Sequence, residues 1–196
     1  MQQYVLFIIY FLTIYMLNSQ TNYEYAYFGG GCFWSIEAVF NNLYGVEGVT
    51  SGYSGGGSET ANYQDVSSGN TNHAEICRIK YDSKIINYKT LLEIFFVSHD
   101  PTTPNKQGGD IGKQYRSIIL YNSALEKSLA KSKIDSLENE GIYKNIVTEL
   151  IPFSTFYKAE DYHQNYFQLN SNQPYCKYVI SPKLKKIRSQ LSKYYK

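Results

Sequence analysis

The sequence predicts an α+β fold. Short segments in which apolar residues alternate recur along the chain, and segments with apolar residues at helical spacing lie between them. Hairpin-like excursions interrupt the succession, which suggests an α+β sandwich. No internal repeat, low-complexity tract or linker divides residues 21–196, so a single domain is expected there.

"NYEYAYF" (22–28) alternates and reads as a strand. Phe33, Ile36, Val39, Phe40 and Leu43 then fall at helical spacing, so Cys32 to Leu43 reads as a helix packed on a sheet. "GVEGVTSGYSGGGSETANY" is glycine-rich strand and loop. In "AEICRIKYD" (74–82), Glu75, Cys77, Ile79 and Tyr81 share one face of a strand, and Ala74, Ile76, Arg78 and Lys80 the other. "NYKTLLEIFFVSH" reads as a helix, and "HDPTTPNKQGGDIGKQYRS" as a long turn-rich loop. "SIILY" is a strand, "SALEKSLAKSKIDSLENE" a surface helix and "NIVTELIPF" a strand. A helix near "KAEDYHQNYFQ" follows, then a basic helix from Pro182.

Hydrophobic residues make up 43% of the 196 and charged residues 18%, a globular composition. A formal net charge of +2 gives no reason to invoke nucleic acid or an anionic membrane. Residues 1–20 carry a near-continuous apolar run from Tyr4 to Leu17. It falls short of the roughly 20 residues that span a bilayer and has the length of a signal-peptide core. No Lys or Arg precedes it and Leu17-Asn18-Ser19 is a poor cleavage site, so an export leader is expected, with an uncleaved anchor or extension as the alternative.

The three cysteines, Cys32, Cys77 and Cys176, are too few for a disulfide framework and lack metal-ligand spacing. "FGGGCFW" places Cys32 after a glycine run at the start of a helix. There, unpaired backbone N–H groups and the helix dipole favour thiolate, so the thiol's pKa is expected to fall. The same turn also accommodates a small buried hydrophobe at a tight strand-to-helix junction. Glu75 shares a strand face with Cys77 and Ile79, where a carboxyl is costly unless partnered or used. Asp110, Gln114, Tyr115 and Arg116 stand in a glycine-rich loop of the kind that displays functional groups. Cys176 lies in "NQPYCKY", a Pro- and Asn-containing segment expected to be flexible enough to reach a distant sulfur. No metal, nucleotide or flavin signature is present, and "GGGCFW" lacks the GxGxxG spacing.

Taken in order, "GGGCFW", "SGYSGG", "YQDVSSGNTNHAEI", "HDPTTPNKQGGDIGKQYRS", "AEDYHQNYF" and "YVISPKLKK" resemble the peptide methionine-S-sulfoxide reductases, the MsrA family. The resemblance runs from about Tyr25 to Arg188. It implies a ferredoxin-like two-layer core with a mixed sheet, and long loops coiling round the site. It implies Cys32 as nucleophile, Glu75 as the acid that protonates the sulfoxide oxygen, and Tyr63, Tyr115 and Asp110 as the polar network around that oxygen. Phe33 and Trp34 would form the pocket for the substrate methyl group. Cys176 would resolve a Cys32 sulfenic acid to a disulfide that a thioredoxin-type dithiol reduces, with no other cofactor. The substrates would be oxidised proteins and free methionine sulfoxide, and the chain a monomer. Cys77 reads as buried strand core and His73 as a turn or orienting residue. The sequence departs from the family at Ser35, where many members have glycine, and in carrying one C-terminal cysteine rather than two. Two rival readings are a cysteine hydrolase pairing Cys32 with His73, His99 or His163, and a non-catalytic, tyrosine-rich secreted binding module.

Overall fold

The structure, a computed structural model, describes residues 23–196. The expected leader at 1–20 lies outside the described residues. In chain order the elements are β1 (Tyr23–Gly29), α1 (Phe33–Phe40), β2 (Val46–Ser54), α2 (Tyr63–Ser67), β3 (Ala74–Asp82), α3 (Tyr88–Ser98), β4 (Lys106–Gln107), β5 (Asp110–Ile111), β6 (Ile118–Tyr121), α4 (Ala124–Asn139), β7 (Glu149–Pro152), β8 (Tyr157–Lys158), α5 (Tyr166–Leu169) and α6 (Ser181–Gln190). A six-stranded sheet runs β7-β6-β1-β3-β2-β8, and β4 and β5 form a separate hairpin.

The inner order β6-β1-β3-β2 is antiparallel throughout, and the connections run β1-α1-β2 and β3-α3-β6. This is the ferredoxin-like arrangement. The parallel pairing of β7 on β6 makes the sheet mixed, as expected.

The alternation in β3 sorts its side chains as the sequence implies. Cys77, Ile79 and Tyr81 enter the main core beneath α1 and α3, beside Phe28, Phe40 and Phe95. Ala74 and Ile76 face a smaller cluster with Tyr27, Ile118 and Leu120, roofed by Phe153 and Phe156. Helix starts follow local chemistry. Asn62, Asn87 and Ser123 accept the backbone N–H of Asp65, Thr90 and Glu126, each cap contributing about 1 kcal/mol.

Three expectations change. α1 is shorter than Cys32–Leu43, because Cys32 (φ −56°, ψ 127°) is not helical but caps the helix from outside. The helix expected near "KAEDYHQNYFQ" is a 3₁₀ turn, Asp161–His163, and the short α5, broken at Asn165 in the left-handed region (φ 53°). Asparagine tolerates that conformation, and it turns two backbone N–H groups toward the Glu37 carboxyl. The segment carrying Cys176 is not loose: it is a π-helical turn, Cys176–Ile180, running into α6, with Cys176 fully buried. Single π-turns recur at functional sites.

Candidate active site

β1 delivers the chain to Cys32 through glycines that cannot be otherwise. A Cβ on Gly29 would stand 2.6 Å from the Glu75 carbonyl oxygen, and Gly31, at φ +90°, would strike Gln107 at 2.7 Å. The Gly31 N–H donates to the Tyr115 carbonyl (3.1 Å), tying the cysteine turn to the 3₁₀ turn Lys113–Tyr115. Glu75, only 2% exposed, accepts the Phe33 N–H at 2.9 Å. An unpaired donor of the α1 first turn is thus satisfied by a carboxyl from the neighbouring strand. Cys77 donates to the Phe33 carbonyl (3.3 Å) in the fully buried core, the structural position the sequence implies.

Burial pushes the Glu75 carboxyl up to about 8; the Phe33 N–H pulls it down and Asp110 pushes it further up. At neutral pH it is mainly the neutral acid. The Cys32 thiol departs from expectation. It is 8% exposed, and burial first, then the Glu75 charge, raise its pKa well above that of an ordinary cysteine. The helix start does not outweigh desolvation in this resting site. Tyr63 and Tyr115 are likewise raised by burial, then by Glu75 and Cys32, which makes them neutral donors facing the same space. Asp110, at the start of β5, accepts the Tyr175 hydroxyl at 2.6 Å, and that phenol also lies within hydrogen-bonding reach of the Cys32 sulfur.

The apolar wall beside this polar group is aromatic. Phe33 is buried in the core, its ring 5.0 Å from His163 and 5.8 Å from Tyr53. Trp34 stacks on Tyr166 (3.6 Å between centroids, 6° between planes) and donates its indole N–H to His163 Nδ1 at 3.1 Å. Tyr63 leans on the other side of His163 at 4.6 Å. Glu37, buried in α1, fastens this wall by accepting the N–H groups of Asn165 (2.8 Å) and Tyr166 (3.1 Å). Trp34 is the chain's single tryptophan, so its fluorescence reports on the stack. Tyr166→Ala is expected to shift that emission and to raise KM by about three- to tenfold, the worth of one aromatic pair. An unmoved KM would separate the stack from substrate binding.

The histidines do not serve the thiol. His73 takes the Gly56 N–H (3.2 Å) and meets the Gly57 carbonyl (3.0 Å); His99 bonds the Phe95 carbonyl (2.8 Å) and Ser117 (2.7 Å). Burial also lowers His99 to about 4. No hydrogen bond joins His73, His99 or His163 to Cys32 among the described residues, which leaves the hydrolase pairing without a base. The sequence-predicted residues Cys32, Glu75, Tyr63, Tyr115, Asp110, Phe33 and Trp34 do converge. Cys176 does not face this space; its neighbour Tyr175 does. Sequence reasoning missed Tyr175, Tyr166, Glu37 and Lys183, although each falls within a stretch it had read, and it named His163 only as a base for the hydrolase reading.

The family model described as "Peptide methionine sulfoxide reductase" matches residues 24–195. A curated relative from Sulfolobus acidocaldarius, "Peptide methionine sulfoxide reductase MsrA", is 52% identical over 163 residues, covering 83% of this chain and 92% of its own. The fold is similar to that of Mxr1 from Saccharomyces cerevisiae in reduced form, with a TM-score of 0.73 at 32% identity, covering 81% of this chain and 91% of that one. A second structure, Mxr1 in complex with Trx2, matches with a TM-score of 0.52 at 25% identity over 76% of this chain and 87% of that one.

Proposed function

Because the chain belongs to the peptide methionine sulfoxide reductase family and so reduces methionine sulfoxide with a redox-active cysteine, we propose that Cys32 is that cysteine and Glu75 its acid. The observation that carries this reading is the buried Glu75 carboxyl, fixed by the Phe33 N–H at the Cys32 turn and raised in pKa by its burial. The Cys32 sulfur attacks the sulfoxide sulfur while Glu75 gives its proton to the sulfoxide oxygen. Tyr63 and Tyr115 donate to that oxygen, and Phe33 and Trp34 hold the methyl group. The S–O bond then breaks as the oxygen passes to Cys32, giving a sulfenic acid, and the bond formed between the two sulfurs breaks as the thioether departs as methionine. The thiol proton replaces the one Glu75 gave up, so one thiol and one sulfoxide become one sulfenic acid and one thioether.

Cys176 then condenses with the sulfenic acid, releasing water and forming a disulfide. A thioredoxin-type dithiol reduces that disulfide by exchange and is itself oxidised. The Mxr1–Trx2 complex supports the class of reductant. The contact of Tyr175 with Asp110 supports the reading of Cys176, since it brings that segment to the site. Cys176 must leave the core to react, which requires the π-helical turn to unwind. The substrates are oxidised proteins and free methionine sulfoxide, acted on by a monomer of a single domain from residue 21 onward. The apolar run from Tyr4 to Leu17 supports export; N-terminal sequencing of the mature protein with cell fractionation tests it.

The recycling reading is tested by Cys176→Ser. It is expected to reduce about one sulfoxide per enzyme and then stall with thioredoxin, while dithiothreitol restores turnover. Dimedone should trap Cys32 as the sulfenic acid adduct, detected by mass spectrometry. Sustained thioredoxin-driven turnover in this variant would move the resolving role to Cys77.

A further inference from the structure

The segment "YVISPKLKK" has no place in the chemistry above, yet α6 carries one of its lysines to the site. Leu184 and Ile187, 4% and 2% exposed, seat α6 in the core. Lys183 points the other way, toward α1, and its ammonium donates to Ser35 Oγ at 2.7 Å. Ser35 is the position where this chain departs from the glycine common in its family. Beside them opens a cavity of about 380 Å³, lined in part by Cys32, Ser35, Asp110, Tyr175, Val179 and Lys183. That is within the range of small-molecule sites.

An ammonium has three protons to place, and Ser35 takes one. Among the described residues Lys183 forms no ion pair. Asp110, the carboxylate of the same cavity, is engaged by Tyr175 instead. Burial works against the Lys183 charge, whereas Cys32 and Asp110 favour it. A cation on the wall of a cavity, with two donors unused and no ion pair of its own among the described residues, can take up an anion from outside. Cys32 and Lys183 line the same cavity, and in extended methionine sulfoxide the α-carboxylate lies about 5 Å from the reacting sulfur, by standard bond lengths.

We propose that Lys183, held by Ser35, binds the α-carboxylate of the sulfoxide residue, so that the site prefers methionine sulfoxide with a free carboxylate, as the amino acid or at a peptide C-terminus. The assignment rests on Cys32 being the nucleophile at the cavity floor. It adds a determinant of substrate choice that the chemistry at sulfur does not need.

The test compares N-acetylmethionine S-sulfoxide with its uncharged N-methylamide, using dithiothreitol as reductant. The wild-type chain is expected to favour the carboxylate form by about tenfold in kcat/KM, the effect of one charge-assisted contact. In Lys183→Met that ratio should collapse toward one, and in Lys183→Arg it should largely survive. A wild-type ratio near one, or a tenfold ratio that persists in Lys183→Met, overturns the site. Reduction of the amide by the wild type reports the Cys32 chemistry without the carboxylate, so loss of the preference alone leaves that chemistry standing. Free methionine sulfoxide as a third substrate separates the two sources. A further gain over the N-acetyl form places the α-ammonium at Asp110 and makes the amino acid the favoured substrate; parity makes it the peptide C-terminus.

Discussion

Cys32→Ser is expected to abolish sulfoxide reduction, with turnover at least 10³-fold below wild type and within background. The argument does not rest on thiolate fraction alone. A sulfur can take the sulfoxide oxygen and become a sulfenic acid, whereas a serine oxygen cannot accept an oxygen atom from a sulfoxide in any comparable step. Neither dithiothreitol nor higher pH should therefore rescue the variant, as both could for a thiol that is merely hard to ionise. The substitution is nearly isosteric and Cys32 is 8% exposed, so the melting temperature should move by only a few degrees. Conversion of methionine sulfoxide to methionine, followed chromatographically, decides the matter. A serine variant with a tenth of wild-type turnover would remove Cys32 from the reaction.

The raised Cys32 thiol marks the boundary of what the sequence could tell. The glycine run, the helix start and the face on which Glu75 lies are local patterns, and each was legible. The electrostatic outcome was not, because burial is set by segments far away in sequence: Asp110 on β5, Tyr175 before α6 and Glu75 on β3 all close over one sulfur. Glu37 shows the same limit. Helical spacing puts it on α1, but only the left-handed turn at Asn165 brings two N–H groups to its carboxyl. Burial raises that carboxyl to about 7 even so. Cys176 was misjudged for a related reason: a Pro- and Asn-containing stretch reads as loose, whereas burial of Cys176 and Ile180 folds it into a π-turn. The alternation in β3 and the helices α1 and α3 were legible in period alone, whereas the ferredoxin-like arrangement of the strands was implied by the family resemblance.

Glu75→Gln is expected to slow reduction by roughly 10²- to 10⁴-fold, the usual cost of a lost general acid. The amide keeps the shape, and its carbonyl oxygen can still accept the Phe33 N–H, so α1 should start where it does now. What disappears is a proton acidic enough to give to the sulfoxide oxygen as the S–O bond breaks. Tyr63→Phe and Tyr115→Phe should each cost less, since each phenol only donates a hydrogen bond and the other remains. The pH profile supplies the sign. The Glu75 carboxyl, raised to about 8, is protonated below that pH and ionises above it. Wild-type single-turnover rates should therefore stop rising above pH about 8, where loss of the acid offsets the gain of thiolate. Ionisation of the raised Cys32 thiol acts in the opposite direction, since thiolate is gained as pH rises. With the acid removed, only that second trend is left. The Glu75→Gln rate should start low and go on rising with pH where the wild type levels off. Single-turnover measurements from about pH 6 to pH 10, free of the reductant's own titration, read both limbs. If Glu75→Gln stayed within threefold of wild type, or kept the levelling near pH 8, the proton donor would have to be another group, with Tyr63 and Tyr115 the first to examine.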